Sequence, residues 1–250
     1  MLIFTAIPFS PWSEKARWAL DHHRVEYREV SYTPVLGEYE LRWRMRRPLG
    51  RITVPVLQHG SDWLTDSFDI ARHAEAIGSG SPLFPKNALP EITDWNRKSE
   101  IALAAGRAIL MRGWARTPEL AEAALPPSIP KALAPLLRSF GKRRLDAFMA
   151  KYGISEDDRS HDAVLAAGLD ELREALSNRR YLVGDAFSYA DITMALTLQQ
   201  VSPVDPRFIV RLSGLDASGM HIPELADRYA DLIAWRDDLY ARHRRSKAAE

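Results

Sequence analysis

The sequence predicts a two-part chain, an α+β unit of element order βαβαββα followed by an all-helical part. Three observations lead there. Through the first part, short apolar runs of strand length alternate with segments of helical spacing. Gly78-Ser79-Gly80-Ser81-Pro82-Leu83-Phe84-Pro85 then gathers residues that end helices and form turns. Beyond it, every patterned segment has helical periodicity. The expected division is 1–80, a linker over 81–90, and 91–250. A chain of 250 residues is long enough to bury a substantial core in one large domain or two modest ones.

The first part reads in order. Leu2 to Thr5 is a compact apolar run suited to a buried strand, and Pro8 turns the chain before a helix that starts at Pro11. Proline is favoured at the first helical position, where its missing N–H would have had no partner, so Pro11 puts Ser10 at the N-cap. Trp12, Ala16, Ala19 and Leu20 lie close to one face of that helix. Val25 to Val30 reads as a second strand, parallel to the first with a right-handed crossover. Gly37 to Arg46 is helix-compatible. Thr53-Val54-Pro55-Val56-Leu57 is a strand containing a proline, which cannot donate to the ladder and belongs at an edge, a strand start or a turn. After a turn over 58–62, Trp63-Leu64-Thr65 returns antiparallel, and Asp66-Ser67 precedes a helix from Phe68 to Ile77.

The second part predicts helices over Ile92 to Arg116, Pro135 to Lys151 and His161 to Ser177, with a loop at Pro126-Pro127-Ser128-Ile129-Pro130. Ser188 and Asp191 stand three apart at a helix start, where each can satisfy the other's unpaired N–H, and Phe187 with Ile192 occupies the positions of a hydrophobic staple. A last helix runs from about Pro223 to Arg242, and the basic stretch Arg242 to Lys247 reads as a solvated end.

Composition narrows the function classes. Lys plus Arg number 34 against 33 Asp plus Glu, a net charge of +1, so no bulk field points to nucleic acid or to an anionic membrane. Cysteine is absent, which removes disulfides, cysteine metal sites and a protein thiol nucleophile. Nowhere do 18 apolar residues run together, and the opening run is too short for a signal peptide, so a cytoplasmic soluble protein without membrane partner is expected. The histidines show no metal-ligand spacing with carboxylates and no phosphate-binding glycine loop is present, so neither metal nor nucleotide is expected. What remains is the helix start at Ser10. Its unpaired N–H groups and partial positive charge favour an anion, and a thiolate suits it. Ser10 serves there as a cap alone or as a donor to that anion.

In both parts the residues resemble the glutathione S-transferase family. Ser10-Pro11-Trp12-Ser13 with Lys15 and Arg17, Val54-Pro55-Val56-Leu57, Leu64-Thr65-Asp66-Ser67, and Gly184-Asp185 with Phe187-Ser188-Tyr189-Ala190-Asp191-Ile192 carry the resemblance, in that order, over most of the chain. It implies a thioredoxin-like N-terminal domain, an all-helical C-terminal domain, glutathione as co-substrate and a homodimer. It also implies a cis peptide before Pro55, which turns the Val54 N–H and C=O toward the cysteinyl backbone of glutathione like an added strand. Ser67 would receive the γ-glutamyl carboxylate, with Asp66, where Glu or Gln is commoner, near the ammonium. Arg51 falls near the family's basic position for the glycine carboxylate. Ser10 would donate to the sulfur, with Ser13 in support one turn further on. The electrophile pocket does not carry over from the resemblance, because the stretch Pro126 to Ser160 is longer than in typical relatives; Trp12, Met111 and Trp114 are its candidate walls or core residues.

The expected function is conjugation of the glutathione thiolate to a small apolar electrophile. One rival is a non-catalytic binding or regulatory protein that keeps the fold. Another is a maleylacetoacetate-type isomerase, whose Ser-Ser-Cys-Ser run differs here at Pro11 and Trp12.

Overall fold

The computed structural model describes residues 1–32, 36–47, 49, 52–117, 138–209 and 221–244. The first part runs β1 (Leu2–Ala6), α1 (Pro11–His22), β2 (Tyr27–Ser31), α2 (Leu36–Arg44), β3 (Val56–His59), β4 (Asp62–Leu64) and α3 (Ser67–Ile77), the predicted order. The sheet order is β2-β1-β3-β4, with β1 parallel to β2 and the other pairs antiparallel. Strand alternation sends Phe4, Ala6 and Leu57 to one face, where they meet Ala16 and Leu20 of α1 and Ile70 and Ala74 of α3. Val56 faces the other way, toward Leu41 of α2 and Ile52.

Two boundaries shift for local reasons. Strand β2 begins after Val25 because the Val25 N–H donates to the Leu20 carbonyl at 3.0 Å, closing α1 through Arg24 in the left-handed region at φ 55°. Strand β3 begins after Pro55, whose nitrogen has no hydrogen to give the ladder.

The second part contains α4 (Leu89–Arg116), α5 (Arg138–Tyr152), α6 (Ser160–Ala175), α7 (Tyr189–Ala195), α8 (Pro223–Arg228) and α9 (Ala230–His243), with 3-10 turns at Lys86–Ala88 and Leu196–Gln200. The loop expected over 126–130 lies outside the described residues. The single helix expected from Pro223 is two, joined at Tyr229. The Tyr229 ring is fully buried, and its hydroxyl donates to Asp170 at 2.8 Å and reaches the Ala166 carbonyl at 3.1 Å, which pins the chain to α6 at the break.

At the start of α7 the Asp191 carboxylate accepts the N–H groups of Leu182 and Ser188, each at 2.8 Å. The Ser188 hydroxyl donates to the same carboxylate at 3.0 Å, and the reciprocal capping box expected of Ser188 and Asp191 is formed. Burial pushes the Asp191 pKa up to about 6, against the pull of those three donors.

The solvated tail is corrected. Arg242 is exposed and pairs with Asp238, but Arg244 turns inward, donating to Glu14 at 2.7 Å and to Asp21 at 2.6 Å. Residues 245–247 lie outside the described set. The largest apolar cluster joins Trp18 and Ala19 of α1 and Ala71 of α3 to the interior of the helical part. Among the described residues, no helix is long and apolar enough to cross a membrane.

Candidate active site

The sheet register brings the candidate segments together. Thr5 pairs with Val56, and Leu57 with Leu64, so the end of β1, the start of β3 and the end of β4 lie at one end of the sheet. Ser10, Val54-Pro55 and Asp66-Ser67 follow or precede those strand ends directly.

Ser10 has extended backbone at φ −76°, ψ 128° and caps α1. Its oxygen accepts the Ser13 N–H at 3.5 Å, the long limit of a hydrogen bond, and no described residue accepts its proton. Ser13 is fully buried, and its hydroxyl takes the Ile7 N–H at 3.1 Å, fixing the loop that presents Ser10.

The Val54–Pro55 peptide is cis, as the resemblance implies. Val54 is half-buried beside Ile52 and Val56, and its N–H and C=O bond to no other described residue. Asp66 caps α3 through one oxygen, Oδ1, which accepts from Phe68 at 2.8 Å and from Asp69 at 3.3 Å. Its second oxygen takes no part in the cap. Ser67 follows at the first helical position, buried, with its hydroxyl unused by the cap. Arg51 lies outside the described residues.

Sequence reasoning missed a polar brace behind α1. Lys15 is fully buried, and its ammonium donates to Ser99 and to Glu100, each at 2.6 Å, with Asn96 at 3.5 Å. Burial lowers its pKa, against the pull of Glu100 and of the Asp66 carboxylate. The other Glu100 oxygen accepts the Trp12 indole N–H at 2.6 Å, and the Arg107 guanidinium lies 4.8 Å over the Trp12 ring. Trp12 is therefore held at its edge and its face by α4. No local signal marks these pairs, because their partners are more than 80 residues away. Met111 lies with Leu110, Leu145 and Met149 in a cluster between α4 and α5, and Trp114 packs on its side.

A helix start carrying an unused hydroxyl proton, a cis-proline turn and a second helix start thus lie at one end of the sheet. The family profiles for the glutathione S-transferase N-terminal domain and C-terminal domain match residues 9–77 and 129–238. The chain belongs to the glutathione S-transferase family. It is 24% identical over 212 residues to glutathione S-transferase TCHQD of Arabidopsis thaliana, covering 79% of this chain and 76% of that protein. In fold, this transferase is similar to a glutathione S-transferase from Methylobacillus flagellatus solved with GSH bound, at TM-score 0.61 and 19% identity over 97% of this chain and 95% of that one. It is also similar to the beta-etherase LigF of Sphingobium sp. strain SYK-6, at TM-score 0.63 and 20% identity over 96% and 95% of the two chains. The transferase fold thus comprises a small mixed sheet with its helices and a helical part, as the sequence predicts.

Proposed function

We propose that this chain is a glutathione transferase in which the Ser10 hydroxyl donates to the glutathione sulfur, stabilising the thiolate that attacks a small apolar electrophile. The observation that carries this reading is the Ser10 hydroxyl itself, whose cap bond stretches to 3.5 Å while Ser13 holds the loop. Lowering a thiol pKa from about 8.5 to about 6.5 requires roughly 2.7 kcal/mol in favour of the thiolate. A helix terminus supplies about 0.3 to 1 kcal/mol and a hydrogen bond to a charged acceptor about 1.5 to 3 kcal/mol. Both contribute, and the hydroxyl is the larger part.

The remaining contacts follow from the free groups. Val54 offers an N–H and a C=O to the cysteinyl backbone, Ser67 a hydroxyl and the α3 N-terminus to the γ-glutamyl carboxylate, and Asp66 its second oxygen to the ammonium. Arg51 takes the glycine carboxylate in this reading. Trp12, with Trp114 and Met111 further along α4, bounds the electrophile side. The working form is a homodimer, and exposed Tyr39 and Trp43 on α2 leave apolar surface of the kind a second subunit covers.

The test is calorimetric titration of glutathione into wild type and Ser10→Ala, with conjugation of an aryl halide measured in parallel. Both proteins should bind glutathione, and Ser10→Ala should lose about 10- to 150-fold in kcat/KM, the worth of one charge-assisted hydrogen bond. Equal conjugation rates would remove Ser10 from the chemistry. A wild type that fails to bind at millimolar glutathione would favour the non-catalytic reading.

A further inference from the structure

Beside the Asp66-Ser67 turn lies a buried phenol that faces the Ser67 hydroxyl. Tyr189, the first residue of α7, is fully buried, and its hydroxyl makes no hydrogen bond of ordinary geometry. Most buried polar side-chain atoms have such a bond, so this one calls for an explanation. The ring is fixed in place. It stacks on Phe84 at 4.9 Å with 28° between planes and meets Phe68 edge-on at 5.5 Å, and the Tyr189 N–H donates to the Leu83 carbonyl at 3.0 Å. Phe68 follows Ser67, so the phenol is held against the first turn of α3. One turn along α7, Thr193 bonds to Ser99 and Asn96, the residues around the Lys15 ammonium. One face of α7 therefore backs α3 through Tyr189 and α1 through Thr193.

Burial raises the Tyr189 pKa well above its ordinary value, the Ser67 hydroxyl facing it works the other way, and Asp66, Glu100 and Asp69 add to the rise. The phenol stays neutral, a donor with Ser67 before it.

We propose that Tyr189 is a positioning residue for the γ-glutamyl carboxylate, donating its O–H to the Ser67 oxygen while Ser67 donates its own proton to the ligand. The assignment rests on the glutathione reading above. Ser67 has one hydroxyl proton and two lone pairs. A carboxylate that takes the proton leaves the oxygen facing the phenol as an acceptor, and hydrogen bonds in such a chain strengthen one another. The helical part then completes a ligand site that otherwise belongs to the first part.

Tyr189→Phe keeps the ring stack and removes the hydroxyl alone. Titrated with glutathione, it should bind about three- to tenfold more weakly than wild type, the loss of one ordinary hydrogen bond. At saturating glutathione its kcat should stay within about twofold of wild type. A glutathione analogue lacking the γ-glutamyl α-carboxylate should bind both proteins alike. In a Ser67→Ala background the phenylalanine should add no further loss, the signature of two groups acting as one. Equal glutathione affinity in wild type and Tyr189→Phe overturns the assignment, as does a loss that persists with the decarboxylated analogue or with Ser67→Ala. A wild type that does not bind glutathione overturns the glutathione reading and this assignment together, whereas normal wild-type binding with no difference in the variant overturns this assignment alone.

Discussion

His23 closes α1 with 1% of its surface exposed, and neither ring nitrogen has a hydrogen bond among the described residues. The Glu75 oxygen nearest it stands 3.6 Å away, beyond hydrogen-bond reach, and accepts the N–H groups of Leu83 and Phe84. Burial, aided by neighbouring His22, pushes the His23 pKa down to about 4 from 6.5. Between those values the unfolded chain binds a proton that the folded chain refuses, so stability rises with pH across that window and is lost as pH falls. Urea midpoints should therefore drop between about pH 6.5 and 4, and His23→Gln should flatten that part of the profile. An unchanged slope in the variant would place the acid sensitivity elsewhere. Residues such as Ser10, Asp66 and Asp191 were legible because a cap is a local device, written within four positions of the helix it serves. His23 and Lys15 were not, because burial by distant segments decides their chemistry.

Helix α1 shows how that limit works on an element. Its apolar spacing predicts one buried face, yet Pro11 and every residue from Ser13 to Leu20 are buried. The sheet covers one side and the helical part covers the other. The charges on the remaining side are paired internally. Burial works to raise the Glu14 pKa, and Arg244 and Arg17 overcome it, holding the carboxyl below its ordinary value. Arg17 also forks onto Glu29 at 2.6 and 3.1 Å. Arg244, 230 positions along the chain from Glu14, thus straps the helix that presents Ser10. Removing one partner of a buried pair is far costlier than removing an exposed one. Arg244→Ala should lower unfolding free energy by about 3 to 5 kcal/mol, whereas Arg242→Ala, at an exposed pair, should change it by no more than about 1 kcal/mol. Urea titrations read both, and similar small losses would refute the strap. A basic run in sequence gives no sign of which arginine turns inward, because its carboxylate partner belongs to another element.

The molecule as a whole divides in sequence more sharply than in its core. The linker is seated tightly, since a Cβ on Gly80 would stand 2.8 Å from the His22 carbonyl oxygen and one on Gly78 closer still to that of His23. Ser79 donates to the His23 carbonyl at 2.7 Å, fastening the linker to the end of α1. Trp18 and Ala71 share a cluster with Tyr189, Leu169 and Tyr240, so the first part, beside its own core around Phe4 and Leu57, packs α1 and α3 into the core of the helical part. Tryptophan fluorescence and far-UV circular dichroism should accordingly report one coincident unfolding transition, and two separated transitions would contradict the shared core. The pairings of β1 with β2 and of β3 with β4 were readable from the sequence because short connections leave few topologies, but the pairing of β1 with β3 that orders the sheet and the docking of the two parts were not, being contacts between segments with no common pattern. That docking is what fixes α1 and its terminal hydroxyl. The most direct measurement of the central claim is the thiolate absorbance of bound glutathione across pH 5 to 9 in wild type and Ser10→Ala. The account predicts a bound thiol pKa about 2 units below the free value in wild type, returning most of the way in the variant, whereas a pKa that is unshifted in wild type or identical in the two proteins would contradict it.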